Sequence, residues 1–305
     1  MKIGTTSAPM RVLYALVFIA TTAHITICAT EKKVDLIIFS FDRPLQLHAL
    51  LSSIEQYVTE FNEIHVLLRC SNSSYQAAYY QIKSQFPHVK FAQQGSLPKK
   101  DFKPLMLNCF NSSDAPYIAF STDDLVINDY INTNQCLDAL ESINAYGFYL
   151  RLGNNITYSY NRDIPLVVPP LTHITDDIYA FNFKDGISYW AYPNSVDIVI
   201  YKKADIKSAL TTLHYTSPNI LESRWARNAD TSGFGLCFKY SKGFNIPLNL
   251  VQDDWYNKNS AIFTPQELLD LWNQNMKMDL VPFHQAKNIS ATMAYVPTFI
   301  TRNKE

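Results

Sequence analysis

The chain has 305 residues, which is enough for one large α/β domain or two small ones. Hydrophobic residues make up 47% of it and charged residues 17%, a balance that predicts a globular protein with a sizeable core and excludes a disordered one. The 26 Lys and Arg residues are offset by 27 Asp and Glu residues, so no basic field is available to bind a nucleic-acid backbone.

The first 30 residues differ in kind from the rest. Lys2 and Arg11 precede an apolar run from Val12 to Ala20, and small or polar residues follow it. This order is typical of a secretory signal peptide, with cleavage near Ala29. Residues 12–30 are also just long enough to span a bilayer, so a single-pass membrane anchor is the alternative. We therefore expect a chain that is exported through the secretory pathway or is anchored in a membrane by this segment.

After this leader, strand-like and helix-like patterns alternate along the chain. A continuous apolar strand is predicted over Val34–Ser40, and apolar residues at helical spacing follow it within residues 47–54. Later in the chain, Ser217-Pro218 and Thr264-Pro265 each combine a helix N-cap with a first-turn proline. The other predicted strands are Ile64–Arg69, Val89–Ala92, Tyr117–Phe120 and Phe148–Leu152, and the other predicted helices cover residues 75–86, 104–110 and 131–143.

This alternation predicts an α/β fold with a mostly parallel central sheet flanked by helices, because parallel neighbours need a crossover connection. We predict one domain over residues 31–305, in which the half after residue 130 is less regular. In such sheets ligands bind beyond the carboxyl ends of the strands. The turns at residues 40–43 and 70–74 are therefore expected to face one crevice.

The sequence lacks the motifs that several enzyme classes require. The eight glycines form no GxGxxG, GxxxxGK[ST] or GxSxG motif, and the seven histidines form no HExxH motif. Dinucleotide oxidoreductases, P-loop enzymes and α/β-hydrolases are thereby excluded. The cysteines beyond the leader have no zinc-site or disulfide-framework spacing, so we expect buried free thiols at Cys70, Cys109, Cys136 and Cys237.

An acidic pair follows the predicted strand Tyr117–Phe120. Asp123 and Asp124 come after Ser121 and Thr122, at the centre of the alternating pattern. Carboxylates at the end of a buried strand are placed to hold Mg²⁺ or Mn²⁺, which neutralises a diphosphate leaving group as its bond to a sugar breaks. Other acidic pairs occur in the chain, but the position of this one predicts a metal site.

Two strand-end motifs resemble the nucleotide-sugar half of GT-A glycosyltransferases, of the family 2 type. They are Leu36–Ser40 with Phe41-Asp42-Arg43-Pro44, and Tyr117–Phe120 with Ser121-Thr122-Asp123-Asp124. The resemblance covers roughly residues 34–130. It implies that the first strand ends at the nucleotide site and that the later strand ends in a DxD-type motif for the metal and the donor diphosphate. The chain departs from the family pattern in carrying Ser121 or Thr122 at the first acidic position.

The resemblance implies roles for single residues of the donor half. Asp124 is expected to be a metal ligand, and Asp123 is expected to contact the ribose or the metal. Ser40, Phe41 and Arg43 are expected to border the base and the ribose.

The resemblance also points to residues outside these motifs. Lys103 and Arg151 are candidate cations for the donor phosphates. GT-A enzymes often complete the metal coordination with a histidine from the C-terminal region, and His284 is the candidate here. The implied cofactor is Mn²⁺ or Mg²⁺.

The acceptor half is less defined. An inverting enzyme needs a carboxylate base near the acceptor, and Glu222, Asp253 and Asp254 compete for that role. A retaining mechanism needs no such base, and the sequence leaves both outcomes open. Aromatic faces pack against pyranose rings, and the candidate platforms are Trp190, Tyr192, Trp225, Trp255 and Tyr256.

The expected function is thus the transfer of a sugar from a UDP- or GDP-sugar to a glycan or lipid-linked acceptor. The alternative is an exported carbohydrate-binding protein that kept the fold but lost the metal site. A nucleotidyltransferase is a weaker third interpretation, since residues 40–45 contain no Gly-rich phosphate loop.

Overall fold

The computed structural model describes Met1 and residues 32–254 and 258–302. The predicted signal peptide or anchor therefore lies outside the described residues. Among the helices that are described, none has the length and apolar character needed to cross a bilayer. From Lys32 onward the described residues form a single compact unit.

Two helices of the second half begin at the capping groups that the sequence predicts. The Ser217 hydroxyl accepts a hydrogen bond from the backbone N–H of Ile220, and Thr264 forms a capping box with Glu267, as predicted. The seven α-helices in the described residues are α1 (Pro44–Tyr57), α2 (Ser73–Gln85), α3 (Pro98–Phe110), α4 (Thr133–Ile143), α5 (Lys203–Thr212), α6 (Pro218–Arg227) and α7 (Pro265–Asn273).

The strands of the first half lie where the apolar runs predict them, and those of the second half are shorter. In the described residues they are β1 (Val34–Phe41), β2 (Ile64–Arg69), β3 (Lys90–Gln93), β4 (Tyr117–Thr122), β5 (Leu125–Ile127), β6 (Gly147–Tyr149), β7 (Tyr158–Ser159), β8 (Ile164–Pro165), β9 (Thr172–Thr175), β10 (Ile178–Asn182), β11 (Val199–Lys202), β12 (Phe234–Phe238), β13 (Gly243–Asn245), β14 (Met276–Met278) and β15 (Phe299–Thr301).

Nine strands form one sheet in the order β3-β2-β1-β4-β11-β6-β12-β10-β9. The four strands of the first half are parallel to one another, with Leu36 of β1 opposite Ile64 of β2 and Ala119 of β4. Strand β11 lies antiparallel between β4 and β6, so the predicted strand near residue 148 does not pair directly with β4. The predicted α/β fold is confirmed, and each antiparallel pair of this sheet includes at least one strand of the second half.

Both faces of the sheet are covered, which explains the nearly continuous apolar run of β1. Leu36 and Ile38 pack into a cluster with side chains of α1, α2, α4 and α7. Ile37 and Phe39 pack on the other face with side chains of α3, α5 and α6. The cysteines that the structure describes are free thiols, as predicted, and Cys70 is the least buried of them.

The parallel strands place their last residues at one edge of the sheet. Phe41, Arg69 and Thr122 end β1, β2 and β4 there. Asp42 then adopts a left-handed backbone conformation with φ of 52°, which Asp tolerates better than most residues. This turn brings Arg43 back towards the strand end before α1 begins, and a crevice opens at this edge.

Candidate active site

The crevice has a volume of about 300 Å³. The ends of β1, β2 and β4 form one part of its wall, and the start of α6 and residues 245–254 form another. Eight of the residues predicted to carry function line it: Ser40, Phe41, Arg43, Asp123, Asp124, Glu222, Asp253 and Asp254. Residues from both halves of the chain thus meet in one crevice.

Asp123 is buried, and three neighbouring groups donate hydrogen bonds to its carboxylate. Its carboxylate accepts hydrogen bonds from the Ser40 hydroxyl at 2.8 Å, from the Phe41 backbone N–H at 3.2 Å and from Arg43 Nη1 at 3.1 Å. Burial raises the pKa of Asp123 to about 6, while Arg43 and Ser40 favour the ionised form. Asp123 therefore remains a carboxylate at neutral pH and orders the strand ends.

Arg43 is held equally firmly. Besides Asp123, it donates from Nε to Asn249 Oδ1 at 2.8 Å and from Nη2 to the Asn249 backbone carbonyl at 2.6 Å. Ser40 and Arg43 were predicted to border the base and the ribose, and both do line the crevice. However, their polar groups already bind Asp123 and Asn249, so their main effect is to build the wall.

We expect Asp123→Asn to lower the free energy of unfolding by about 3 kcal/mol, because it leaves the buried guanidinium of Arg43 without its countercharge. Asp124→Asn is the matched comparison, since Asp124 lies 3.6 Å from Arg43 and accepts no hydrogen bond from it. Its expected cost is below about 1 kcal/mol. Urea denaturation at pH 7 measures both, and equal losses would show that Asp123 has no special structural role.

Asp124 has one oxygen engaged and one available. Oδ1 accepts hydrogen bonds from the Thr122 hydroxyl and from Asn245 Nδ2, each at 2.8 Å. Oδ2 accepts no hydrogen bond from the residues that the structure describes, and its nearest cation is Arg43. The two predicted metal-binding aspartates therefore differ, and Asp124 is the one with a free ligand atom.

Asp197, which sequence analysis missed, lies beside this pair. It precedes β11, and its Oδ1 also accepts a hydrogen bond from the Thr122 hydroxyl, at 2.9 Å. Arg151 forms a 2.8 Å ion pair with Asp197 Oδ2 and donates to Asn245 Oδ1 at 2.7 Å. Arg151 was predicted to face the donor phosphates, but it lies outside the crevice lining and binds Asp197 and Asn245, which are part of that lining.

Glu222 projects from α6 into the same crevice. One of its oxygens accepts hydrogen bonds from the Ser195 hydroxyl at 2.8 Å and from the Val196 backbone N–H at 3.0 Å. Burial, followed by the negative charge of Asp197, raises the pKa of Glu222 to about 7. A carboxyl group with this pKa can take up a proton at neutral pH, which is what a general base requires.

The competing carboxylates are placed differently. Asp254 accepts a hydrogen bond from the Ser217 hydroxyl at the beginning of α6, and Asp253 is exposed on the segment before the undescribed residues 255–257. Both line the crevice. Glu222 is favoured as the base because Ser195 and Val196 hold one of its oxygens and its pKa is raised to about 7.

Phe41 and Arg69 form a flat, partly aromatic part of the crevice lining. The guanidinium of Arg69 lies over the ring of Phe41, with its carbon 4.2 Å from the ring centroid. Gln94 and Lys99 line the crevice beside them. This surface fits the role predicted for Phe41 at the nucleotide base, and Arg69 was not identified from the sequence.

Two predicted residues lie elsewhere. Lys103 donates to the backbone carbonyls of Thr211 and Leu213, each at 2.7 Å, which ties α3 to the end of α5. His284 stacks on Tyr57, with ring centroids 5.2 Å apart. Tyr57 ends α1 and Arg43 precedes its start, so about 21 Å of helix separates His284 from the acidic pair. The structure therefore does not place Lys103 at a phosphate or His284 at a metal.

The predicted aromatic platforms also need correction. Trp190 and Trp225 are buried core residues, and Trp190 donates its ring N–H to the Ile156 carbonyl. Tyr192 is half-buried outside the crevice lining. Trp255 and Tyr256 lie outside the described residues. In the part of the chain that the structure describes, the aromatic residues of the crevice are instead Phe39, Phe41 and Phe102.

The oxygen atoms available at Asp124 fit a metal ion that is bound jointly by the protein and by a ligand. No cluster of three His, Cys, Asp or Glu side chains able to hold a metal occurs among the described residues. Mg²⁺, however, is commonly bound by one or two carboxylates together with substrate phosphates, and Asp124 Oδ2 supplies one such oxygen. Asn249 adds a buried Nδ2 that has no acceptor among the described residues, beside Arg43 on the crevice wall. Both features suit a diphosphate with its cation.

Comparison with known proteins gives one relative in sequence. The chain is 28% identical over 201 residues to a bifunctional glycosyltransferase, pgtA, of Dictyostelium discoideum. The match covers 59% of this chain, and it spans only about a quarter of the relative, 25% of its length. No protein-family model matches the chain. The sequence similarity confirms the resemblance to glycosyltransferases that the two strand-end motifs indicate.

Solved structures show weaker likenesses. S. aureus TarS in complex with UDP has a TM-score of 0.45 and 14% identity, over 69% of this chain and 59% of that one. The mannosyltransferase PcManGT of Pyrobaculum calidifontis, in complex with GDP-Man and Mn²⁺, has a TM-score of 0.33 and 8% identity, over 59% of this chain and 47% of that one. At these scores the likeness says nothing about activity.

Proposed function

We propose that this protein is an inverting glycosyltransferase that moves a sugar from a UDP- or GDP-sugar to a hydroxyl group of a glycan or glycolipid, with assistance from Mn²⁺ or Mg²⁺. The observation that carries the proposal is the meeting of Asp124 and Glu222 in one crevice. A carboxylate with a free oxygen at the end of β4 faces the same space as a carboxyl group whose pKa is near neutrality.

The donor half of the crevice accounts for binding. The surface of Phe41 and Arg69 is flat and suits a nucleotide base, and the diphosphate would extend from it towards Asp124. Asp124 Oδ2 would hold the metal, which would supply a countercharge for the diphosphate as the sugar leaves. Arg43 and Asp123 keep the strand ends and Asn249 in position around that group.

The acceptor half of the crevice contains the group that would take the proton of the acceptor hydroxyl. As the acceptor oxygen forms its bond to the anomeric carbon, the bond between that carbon and the diphosphate oxygen breaks. The acceptor proton passes to Glu222, and the nucleoside diphosphate leaves with the bonding electron pair. Ser195 and Val196 hold one oxygen of Glu222, which leaves the other to receive the proton. Such a base contributes about 10²- to 10⁴-fold to a rate.

We expect UDP or GDP with Mn²⁺ to raise the melting temperature by about 5 °C at a hundredfold excess over Kd, because a ligand that binds only the native state stabilises it. Thermal-shift measurements with and without Mn²⁺ test this, with AMP as the control nucleotide. Hydrolysis of a panel of nucleotide sugars then identifies the donor. If no nucleoside diphosphate raises the melting temperature, the non-catalytic carbohydrate-binding protein becomes the better interpretation.

A further inference from the structure

Asp197 connects the two chemical groups of the crevice through hydrogen bonds. The Thr122 hydroxyl lies within 2.9 Å of both Asp197 Oδ1 and Asp124 Oδ1. On the other side, the Asp197 backbone N–H donates to the Ser195 hydroxyl oxygen at 3.2 Å, and that hydroxyl donates to Glu222 at 2.8 Å. A continuous polar chain therefore runs from the candidate metal ligand to the candidate base.

The backbone beside Asp197 is strained. Ile198 has a φ of 51°, in the left-handed region that β-branched residues normally avoid. The strained turn is held on both sides, since Ile198 N–H donates to the Phe120 carbonyl at 2.6 Å and Leu150 N–H donates to the Ile198 carbonyl at 3.3 Å. Such strain persists only where the surroundings over-determine a conformation, and it is concentrated at functional sites. Here it fixes the direction in which Asp197 points.

The charged and titratable groups around Glu222 come from several elements. Burial raises the pKa of Glu222 most strongly, and the negative charge of Asp197 before β11 raises it further. The hydrogen bonds from Val196 and Ser195 lower it, and Arg151 after β6 lowers it less than they do. Burial raises the pKa of Tyr192 and of Tyr201, and the negative charge of Glu222 raises each of them further. Asp197 is thus the one negatively charged neighbour with a direct influence among the described residues.

We propose that Asp197 is a positioning residue of the transfer reaction, which holds the Ser195–Asp197 turn against Glu222 and places a negative charge beside that base. The inference rests on the proposed function. A negative charge disfavours ionisation of a neighbouring carboxyl group, so Asp197 makes Glu222 a stronger base. Asp197 itself need not touch the substrate.

Two substitutions should move the acid limb of the pH profile of kcat/KM in opposite directions. Asp197→Asn removes the charge, so Glu222 ionises more readily and the limb moves down by about one pH unit. Ser195→Ala removes a hydrogen bond that favours ionised Glu222, so the limb moves up. Asp197→Glu restores the charge and is expected to return the limb towards its wild-type position. An unchanged limb in Asp197→Asn, or a shift of the same sign in both variants, would overturn the proposal.

A measurement without catalysis separates this proposal from the proposed function. Glu222 has a raised pKa in the folded protein, so folded chains bind more protons than unfolded ones between about pH 4.5 and pH 7, and stability falls as pH rises through that window. In Asp197→Asn the pKa of Glu222 is expected to be lower, so the fall in the free energy of unfolding should end at a lower pH. Urea denaturation at several pH values from 5 to 8 measures this. If wild type shows no transferase activity but this pH window narrows in Asp197→Asn, the proposed function fails while the electrostatic coupling between Asp197 and Glu222 stands. An unchanged pH window in Asp197→Asn refutes that coupling, and with it the proposed role of Asp197.

Discussion

Asp124→Asn is expected to reduce hydrolysis and transfer from the nucleotide-sugar donor by at least about 100-fold, with the fold intact. The substitution keeps the oxygen that accepts from Thr122 and Asn245, and it removes the negative charge at the free position Oδ2. Loss of that charge lowers the affinity for the metal at the position where the leaving diphosphate needs a countercharge. Steady-state rates over a range of Mn²⁺ concentrations measure the effect, and the defect should be greatest at low Mn²⁺.

The matched control is Asp176→Asn. Asp176 is exposed, accepts a hydrogen bond from Gln135 and lies outside the crevice lining, so the same chemical change there should leave the rates unaltered. Its backbone has a φ of 42°, a conformation that Asn also tolerates. Full activity of Asp124→Asn at low Mn²⁺ would rule out Asp124 as the metal ligand.

The second large effect is expected at Glu222. Glu222→Gln should lower kcat by about 10²- to 10⁴-fold, because Gln cannot accept the acceptor proton. The amide oxygen can still accept from Ser195 and Val196, so nucleotide binding should be retained. Thermal shift with UDP or GDP and Mn²⁺ checks the binding, and single-turnover transfer checks the chemical step.

Glu222→Gln has a distinct stability signature as well. The raised pKa means that ionised Glu222 destabilises the folded protein above about pH 7, whereas the neutral form at pH 5 does not. The variant should therefore melt at a higher temperature than wild type at pH 8 and at a similar temperature at pH 5. Asp254→Asn is the competing variant, and a larger loss of kcat there than in Glu222→Gln would transfer the role of base to Asp254.

The first half of the site could be predicted from the sequence because its residues follow buried strands in a simple alternating pattern. Parallel strands must end at one edge, so Phe41, Arg43, Asp123 and Asp124 were expected to meet, and they do. Their separate tasks were not predictable. Whether an aspartate keeps a free oxygen depends on which donors surround it, and Asn249 and Ser40 reach Asp123 and Arg43 only in the folded chain.

The second half of the site could be predicted less well from the sequence. Asp197 stands in a short polar turn that has no motif, and its importance arises because β11 inserts antiparallel beside β4. The candidates Lys103 and His284 were chosen by residue type and order along the chain. Both are separated from the crevice in space, and His284 lies at the far end of α1.

By itself the sequence determined the α/β class, the carboxyl-edge position of the crevice and the acidic pair, since periodicity, caps and strand ends are local properties of the chain. Only the tertiary structure decided which carboxylate has an oxygen to offer a metal and which has a pKa suited to proton transfer. These properties depend on burial and on neighbours far away in sequence, such as Asn245 for Asp124 and Asp197 for Glu222. Long-range contacts and desolvation, which leave no periodic trace in a sequence, set them.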